Sequence, residues 1–321
     1  SAAQEAARRQ LPIITLNPHE DVLEANPRPQ PGAAAELPVV FVNAFMPRQQ
    51  ARMMAEHAFL EQRDRPRSHA AVLAPDTPFG ELIARAFLQR WMELGGKAGR
   101  IVLFPEDNPD FSGWIKALTH VDAATLKDRQ SRSRRSTPLS PADPAPGAGE
   151  DTFKPWVDFD VLFVPASAAQ VRLIAPQAAF WDIQASGVTL LGIPQWIRPE
   201  LLTAGTDYLK GAVFCDTDPV AQQRFNATFQ KLWSVAPGPL ALLAFDSVAA
   251  LAQSLRDQRQ TGLPWHQRLV QDTGFLGAAG RFRFTADGAS ERHFQIFTVA
   301  ESGIVPYRAH YRPAPGIDML H

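Results

Sequence analysis

The groups that could carry catalysis in this 321-residue chain are its 33 carboxylates, eight histidines and one cysteine. The histidines are His19, His57, His69, His120, His266, His293, His310 and His321, and none falls at i+3 or i+4 from another. No helix face therefore presents two of them to one metal ion, although residues distant in sequence could still converge. Cys215 is alone, which excludes an intramolecular disulfide, a Cys-x-x-Cys redox pair and a cysteine-rich zinc centre. Glu106-Asp107 and Asp216-x-Asp218 fall between periodic segments, where Asp organises turns. Asp246 sits inside a helical pattern and reads as a satisfied structural carboxylate rather than a hinge or ligand contact. The phosphate loop, the dinucleotide fingerprint, His-Glu-x-x-His, Gly-x-Ser-x-Gly and Ser-x-x-Lys are all missing. Gly274, Gly277 and Gly280 have the wrong spacing for a dinucleotide turn and suit loop bends and close backbone approach. No enzyme, metal or cofactor is expected.

Binding is a better prospect than catalysis. Ala74-Pro75-Asp76-Thr77-Pro78-Phe79-Gly80 follows an apolar run, Ala70–Leu73, and precedes a helical pattern over Phe79–Leu94. A strand that turns into a helix puts the turn at the strand's carboxyl end, where open α/β sheets bind ligands. Thr77 could offer its hydroxyl to a ligand or cap the helix. Phe79 could stack on a ligand or join the core.

The elements that must position this turn alternate along the chain. Apolar strands are predicted at Leu11–Leu16, Val39–Val42, Ala70–Leu73, Arg100–Phe104, Phe159–Val164, Val188–Gly192 and Gly211–Cys215. Helices are predicted over Pro47–Leu60, Phe79–Leu94, Phe111–Leu118, Ala168–Asp182 with a break or kink at Pro176, Pro219–Trp233 and Leu240–Arg256. Arg281–Phe284, the turn Asp287-Gly288 and Phe294–Val299 form a terminal β segment. Such alternation predicts an α/β fold of parallel sheets with helices on both faces.

The length suits two domains, and the balance of 45% hydrophobic to 20% charged residues is globular. A net charge of −1 gives no global attraction for nucleic acid or an anionic membrane. No stretch is apolar and long enough to span a bilayer. The first ten residues lack the apolar core of a signal peptide, so a targeting segment, if there is one, lies outside this sequence. The region near 126–151 is rich in Arg, Ser and Pro without apolar periodicity. It reads as a disordered surface insertion, either a solvated loop or a basic arm for an anionic partner.

Taken in order, Leu11-Pro12-Ile13-Ile14-Thr15, the Ala74–Gly80 turn, Phe159–Pro165, Gly211–Phe214, Ala244–Val248 and Gly277–Phe284 through Asp287-Gly288 resemble the type I periplasmic binding proteins, the amino-acid and amide receptors of ABC importers. Ala168–Gln177 followed by Leu191-Gly192-x-x-x-Trp196 is similar, more narrowly, to the binding-protein-like domain of LppC-type penicillin-binding protein activators. The resemblance implies a two-lobed fold, each lobe a mostly parallel sheet with helices on both faces. It divides the chain into lobe one, 1–46 plus 219–275, and lobe two, 47–218 plus 276–321. The family has further βα units before the segment matching Ser1, which implies a lobe one incomplete at its N-terminus.

The implied function is an extracytoplasmic, periplasmic receptor that closes around a small molecule and signals to a membrane transporter. A lipid anchor through an upstream segment is compatible with it. The alternative is an interaction module with a vestigial cleft that regulates a cell-wall synthase. The resemblance places Asn17, Pro18, Thr77, Phe79, Ala166, Ser167, Gln195 and Trp196 at the ligand. Phe79 stands where amino-acid receptors usually carry tyrosine, and no acidic residue stands near Gln195 and Trp196 for an ammonium group. That departure points away from a standard amino acid and toward an aromatic, more apolar mouth.

Overall fold

The computed structural model describes residues 2–27, 37–62, 68–121, 155–184, 187–196, 206–238, 240–270 and 273–307. In chain order the elements are α1 (Ala2–Arg8), β1 (Ile13–Thr15), β2 (Val40–Val42), α2 (Pro47–Gln62), β3 (His69–Pro75), α3 (Pro78–Glu93), β4 (Lys97–Phe104) and α4 (Ser112–Leu118). There follow β5 (Val161–Phe163), α5 (Ala168–Phe180), β6 (Thr189–Gly192), α6 (Thr206–Leu209), β7 (Val213–Asp216), α7 (Pro219–Trp233), α8 (Ala241–Thr261) and α9 (Trp265–Leu269). The chain ends in β8 (Phe275–Gly277), β9 (Gly280–Phe284), β10 (Ser290–Arg292), β11 (Gln295–Ala300) and β12 (Gly303–Pro306).

Two compact units form, Ser1–Gln50 with Asp216–Gln295, and Ala51–Cys215 with Ile296–His321. The chain thus crosses between units three times, and the third crossing lies at 295/296 rather than at the expected 275/276. The reason is packing. Phe282 and Phe284 of β9 join Phe41, Ala250, Leu269 and Phe275 in one buried cluster, which holds the β8–β10 segment in the first unit.

The second unit is built on a seven-stranded sheet of order β12-β11-β7-β6-β5-β3-β4. From β4 to β7 its strands are parallel, with registers such as Ala70↔Val161, Val161↔Thr189 and Leu191↔Val213. Parallel strands bury both faces, which is why the apolar run of β3 is buried from Ala70 to Pro75. Helix α3 turns Ile83, Ala84, Phe87, Leu88 and Trp91 inward, and Phe87 stacks on Phe163 of β5 at 4.4 Å. Helix α5 buries Val171, Ile174, Ala175 and Ala178 and runs through Pro176 without a break.

The first unit is smaller in its pairing. Strands β1 and β2 are parallel, Ile14 opposite Phe41, while β8, β9 and β10 form a separate antiparallel sheet. Asn26 plugs the far edge of β2: its side chain accepts from the Val39 and Val40 amides at 3.1 and 2.9 Å and donates to the Val40 carbonyl at 2.7 Å. Gly274, just before β8, and Gly280, which opens β9, take φ of 58° and 95°, the bends expected of these glycines, and Gly274 also lies close to the Phe282 carbonyl. The insertion near 126–151 lies outside the described residues.

Candidate ligand-binding site

The chain leaves β3, adds β4 on one side of it, then places β5 on the other side and continues to β6 and β7. Strand order therefore reverses between β3 and β5. In open parallel sheets that reversal opens a crevice at the strands' carboxyl ends, the usual place for a ligand. The turns flanking it are Asp76–Phe79 after β3 and Pro165–Ser167 after β5, two of the segments singled out in the sequence.

Each turn ends in a capped helix. Thr77 is the N-cap of α3, its Oγ1 accepting from the Gly80 amide at 3.0 Å. Ser167 caps α5 through a reciprocal pair: its Oγ accepts from the Gln170 amide at 3.3 Å while Gln170 Oε1 accepts from the Ser167 amide at 3.0 Å. Both hydroxyls are thus spent on helix geometry. The caps leave the amides of Phe79, Ala168 and Ala169 in the first helical turns without intrahelical acceptors. Two helix N-termini, with their positive dipole ends, flank the switch point, an arrangement suited to an anion.

The close fit of the first turn depends on Gly80. A Cβ there would lie 2.0 Å from the Pro75 carbonyl oxygen, so only glycine lets α3 start against the end of β3. The loop after β4 is braced against α5. Gln170 Nε2 donates to the Glu106 carbonyl at 3.2 Å, and Gln177 Oε1 accepts from the Phe111 amide at 2.8 Å. These two glutamines were not anticipated from the sequence, although Ser-x-x-Gln at 167–170 is a legible capping box.

The other candidates divide. Phe79 is half-buried and Gln195 is exposed in the turn directly after β6. Trp196 is 1% exposed, its ring 6.1 Å from that of Phe214. Gly192 makes the seat, since a Cβ there would come within 2.3 Å of the indole. The side chain therefore belongs to the core of the second unit, and the expected aromatic mouth reduces to Phe79. Ala166 is likewise buried. Asn17 and Pro18 are exposed in the first unit after β1, where Asn17 Oδ1 accepts from the His19 amide at 3.1 Å. Among the described residues no cluster of His, Cys, Asp and Glu could hold a metal ion, and no helix is long and apolar enough to cross a membrane.

No family model and no curated protein matches the sequence. Solved structures do match the fold. A leucine-binding protein of Thermotoga maritima shares 18% identity over 95% of this chain and 75% of its own, with a TM-score of 0.55. A putative branched-chain amino acid ABC transporter protein of Rhodospirillum rubrum has a TM-score of 0.66 at 14% identity, over 95% of this chain and 75% of its own. A solute-binding protein of Rhodopseudomonas palustris, in complex with 3,4-dihydroxybenzoic acid, has a TM-score of 0.56 at 17% identity, over 94% and 72% of the two chains. The fold is that of the type I periplasmic binding proteins. These neighbours are described as a leucine-binding protein, an ABC transporter protein and a solute-binding protein, and none is described with a cell-wall synthase.

Proposed function

We propose that the protein is an extracytoplasmic receptor for a small carboxylate ligand, which it presents to a membrane transporter. The observation that carries this reading is the switch point between β3 and β5, flanked by the first turns of α3 and α5, whose leading amides have no intrahelical acceptor. A carboxylate accepts from such amides and is favoured by both helix dipoles. The half-buried Phe79 ring beside them supplies an apolar contact for the body of the ligand. Three fold neighbours are described with benzoate, p-hydroxybenzoic acid and 3,4-dihydroxybenzoic acid bound, and another with leucine, all of them carboxylates. Ligand contacts would favour one conformation of the chain, and a transporter would read that conformation.

The test is a thermal-shift and calorimetric panel of benzoate, 4-hydroxybenzoate, 3,4-dihydroxybenzoate and leucine, each set against its primary amide. A saturable rise in Tm with at least one acid and none with its amide supports the reading, since only a ligand that binds the native state stabilises it. Equal responses to acid and amide, or none to either, would reject the carboxylate reading.

A further inference from the structure

Strand β3 lies between β4 and β5, and the steps from β3 to β4 and from β5 to β6 run in opposite directions along the sheet. Crossovers between parallel strands are right-handed, so α3 and α5 cover opposite faces. The turn 76–79, which leads into α3, therefore bounds the switch point on one face only. On the other face a hydrogen bond spans the end of β3. Gln170 belongs to the first turn of α5, after β5, and its Nε2 donates at 3.2 Å to the carbonyl of Glu106, two residues past β4.

The loop held by this bond, 105–111, is stiff within itself. Asn108 Oδ1 accepts from the Asp110 amide at 2.9 Å, and Asp110 Oδ1 from the Ser112 amide at 3.0 Å. Phe104 and Phe111 fix its base, both buried, with their rings edge to face at 5.0 Å. The tip, 106–109, depends on α5. Among the described residues its hydrogen bonds to the rest of the unit go to Gln170 and, at 3.4 Å, to Gln177. The Gln170 amide also completes the α5 cap, its Oε1 accepting from the Ser167 amide and from Ser167 Oγ, each at 3.0 Å. One side chain thus sets the start of α5 and the loop after β4 relative to each other. We infer that Gln170 is a positioning residue for the ligand, a role that rests on the receptor reading proposed above: it holds the loop 105–110 against the first turn of α5 as the second wall of the switch-point crevice. A ligand that enters between walls already in place need not order the loop, so the freedom of those residues is not lost on binding.

Two variants of the full chain share only the loss of the donor to Glu106. Gln170→Glu keeps an acceptor for the Ser167 amide, since Glu and Gln both serve in a capping box, but adds a charge. Gln170→Met adds no charge but gives up the box. Hydrogen exchange over 105–111 is measured beside calorimetry with benzoate, 4-hydroxybenzoate, 3,4-dihydroxybenzoate and leucine. The Phe111 amide bonds to Gln177 Oε1, which neither variant touches. Both variants should nevertheless exchange it about tenfold faster than wild type, because the loop around it is released. Both should bind the responding ligand about tenfold more weakly, with Tm within about 4 °C of wild type. Weaker binding by Gln170→Glu alone is charge repulsion, and by Gln170→Met alone is the lost cap; either result overturns the proposal, as does unchanged exchange in both. A wild-type chain that binds none of the four ligands rejects the receptor reading by itself. The exchange rates then still decide the wall: faster in both variants keeps it, unchanged in both removes it.

Discussion

Arg292 Nη1 donates to Asp246 Oδ2 at 2.8 Å, and the two side chains are 1% and 0% exposed. The pair joins β10 to α8. Its surroundings complete it: the Ala278 amide donates to Asp246 Oδ1 at 2.6 Å, and Arg292 Nη2 reaches Asn43 Oδ1 at the end of β2. Gln49, just before the first crossing, pairs with the Arg292 backbone, donating to its carbonyl at 2.8 Å and accepting from its amide at 3.0 Å. Gly277 leaves room for the carboxylate, where a Cβ would come within 2.4 Å of it. Removing one partner strands a buried charge. Asp246→Ala should cost about 3–5 kcal/mol, read as a lower urea midpoint, and Asp246→Leu with Arg292→Met should recover much of that loss.

Asp216 begins the second crossing, and burial pushes its carboxyl up from an ordinary 3.8 to about 6, against hydrogen bonds from Thr217 and Gln222 that pull the other way. The folded chain therefore holds this proton more tightly than the unfolded chain. Stability from this group is fully present below pH 3.8 and is lost as pH rises through about 6. A shift of about two units corresponds to at most about 3 kcal/mol. Asp216→Asn keeps an acceptor for the Thr217 amide but has no charge to bury. The variant should therefore gain on wild type between pH 4 and 6, with the gap constant above. Urea melts at a series of pH values check this, and parallel curves for the two proteins would refute it.

The segment 122–154 starts and ends at neighbouring points. The Trp156 amide donates to the Thr119 carbonyl at 2.8 Å, and His120 lies between Asp158 Oδ2 at 2.9 Å and Arg100 Nη2 at 2.7 Å. The Trp156 ring adds a contact with the His120 ring at 4.9 Å. These bonds are made by the residues on either side of the segment. Replacing 122–154 with a short Gly-Ser linker should leave Tm within about 4 °C of wild type, because the residues on either side already meet and a shorter connection between them costs less closure entropy. Loss of the cooperative melt would show that residues within the segment stabilise the fold.

The second unit was largely legible in the sequence because its central strands β3, β5, β6 and β7 are buried on both faces. Leu162 and Phe163, or Leu190 and Leu191, can only be unbroken apolar runs in such a sheet. Thr77 was read as a cap or a ligand contact and it caps α3, while Ser167 was read only as a ligand contact although Ser-x-x-Gln before a helical pattern is a legible capping box. What could not be read there depends on contacts made across the chain. Arg292 is a lone arginine in a β segment, and nothing local links it to Asp246, 46 residues away. Trp196 looks like a surface aromatic until Gly192 is seen to leave its ring a seat. The third crossing was misplaced for the same reason, since the phenylalanines of β9 choose their unit through Phe41 and Ala250.

Phe79 and Trp196 were paired as one aromatic mouth, and their surroundings predict opposite responses to truncation. Trp196 is 1% exposed among Gly192 and Phe214, so Trp196→Ala opens a cavity and should cost about 3–5 kcal/mol. Its Nε1 is buried without a hydrogen-bond partner, so Trp196→Phe gives up no bond and should cost less than about 1.5 kcal/mol. Phe79 is half-buried in the first turn of α3, where the Thr77 cap and Gly80 fix the backbone without its ring. Phe79→Ala should therefore move Tm little and weaken the acid identified by the thermal-shift panel by about tenfold or more, the value of an apolar contact of this size. Calorimetry on the two alanine variants separates the roles. A large Tm loss with Phe79→Ala would place that ring in the core and leave the switch-point amides without an aromatic neighbour.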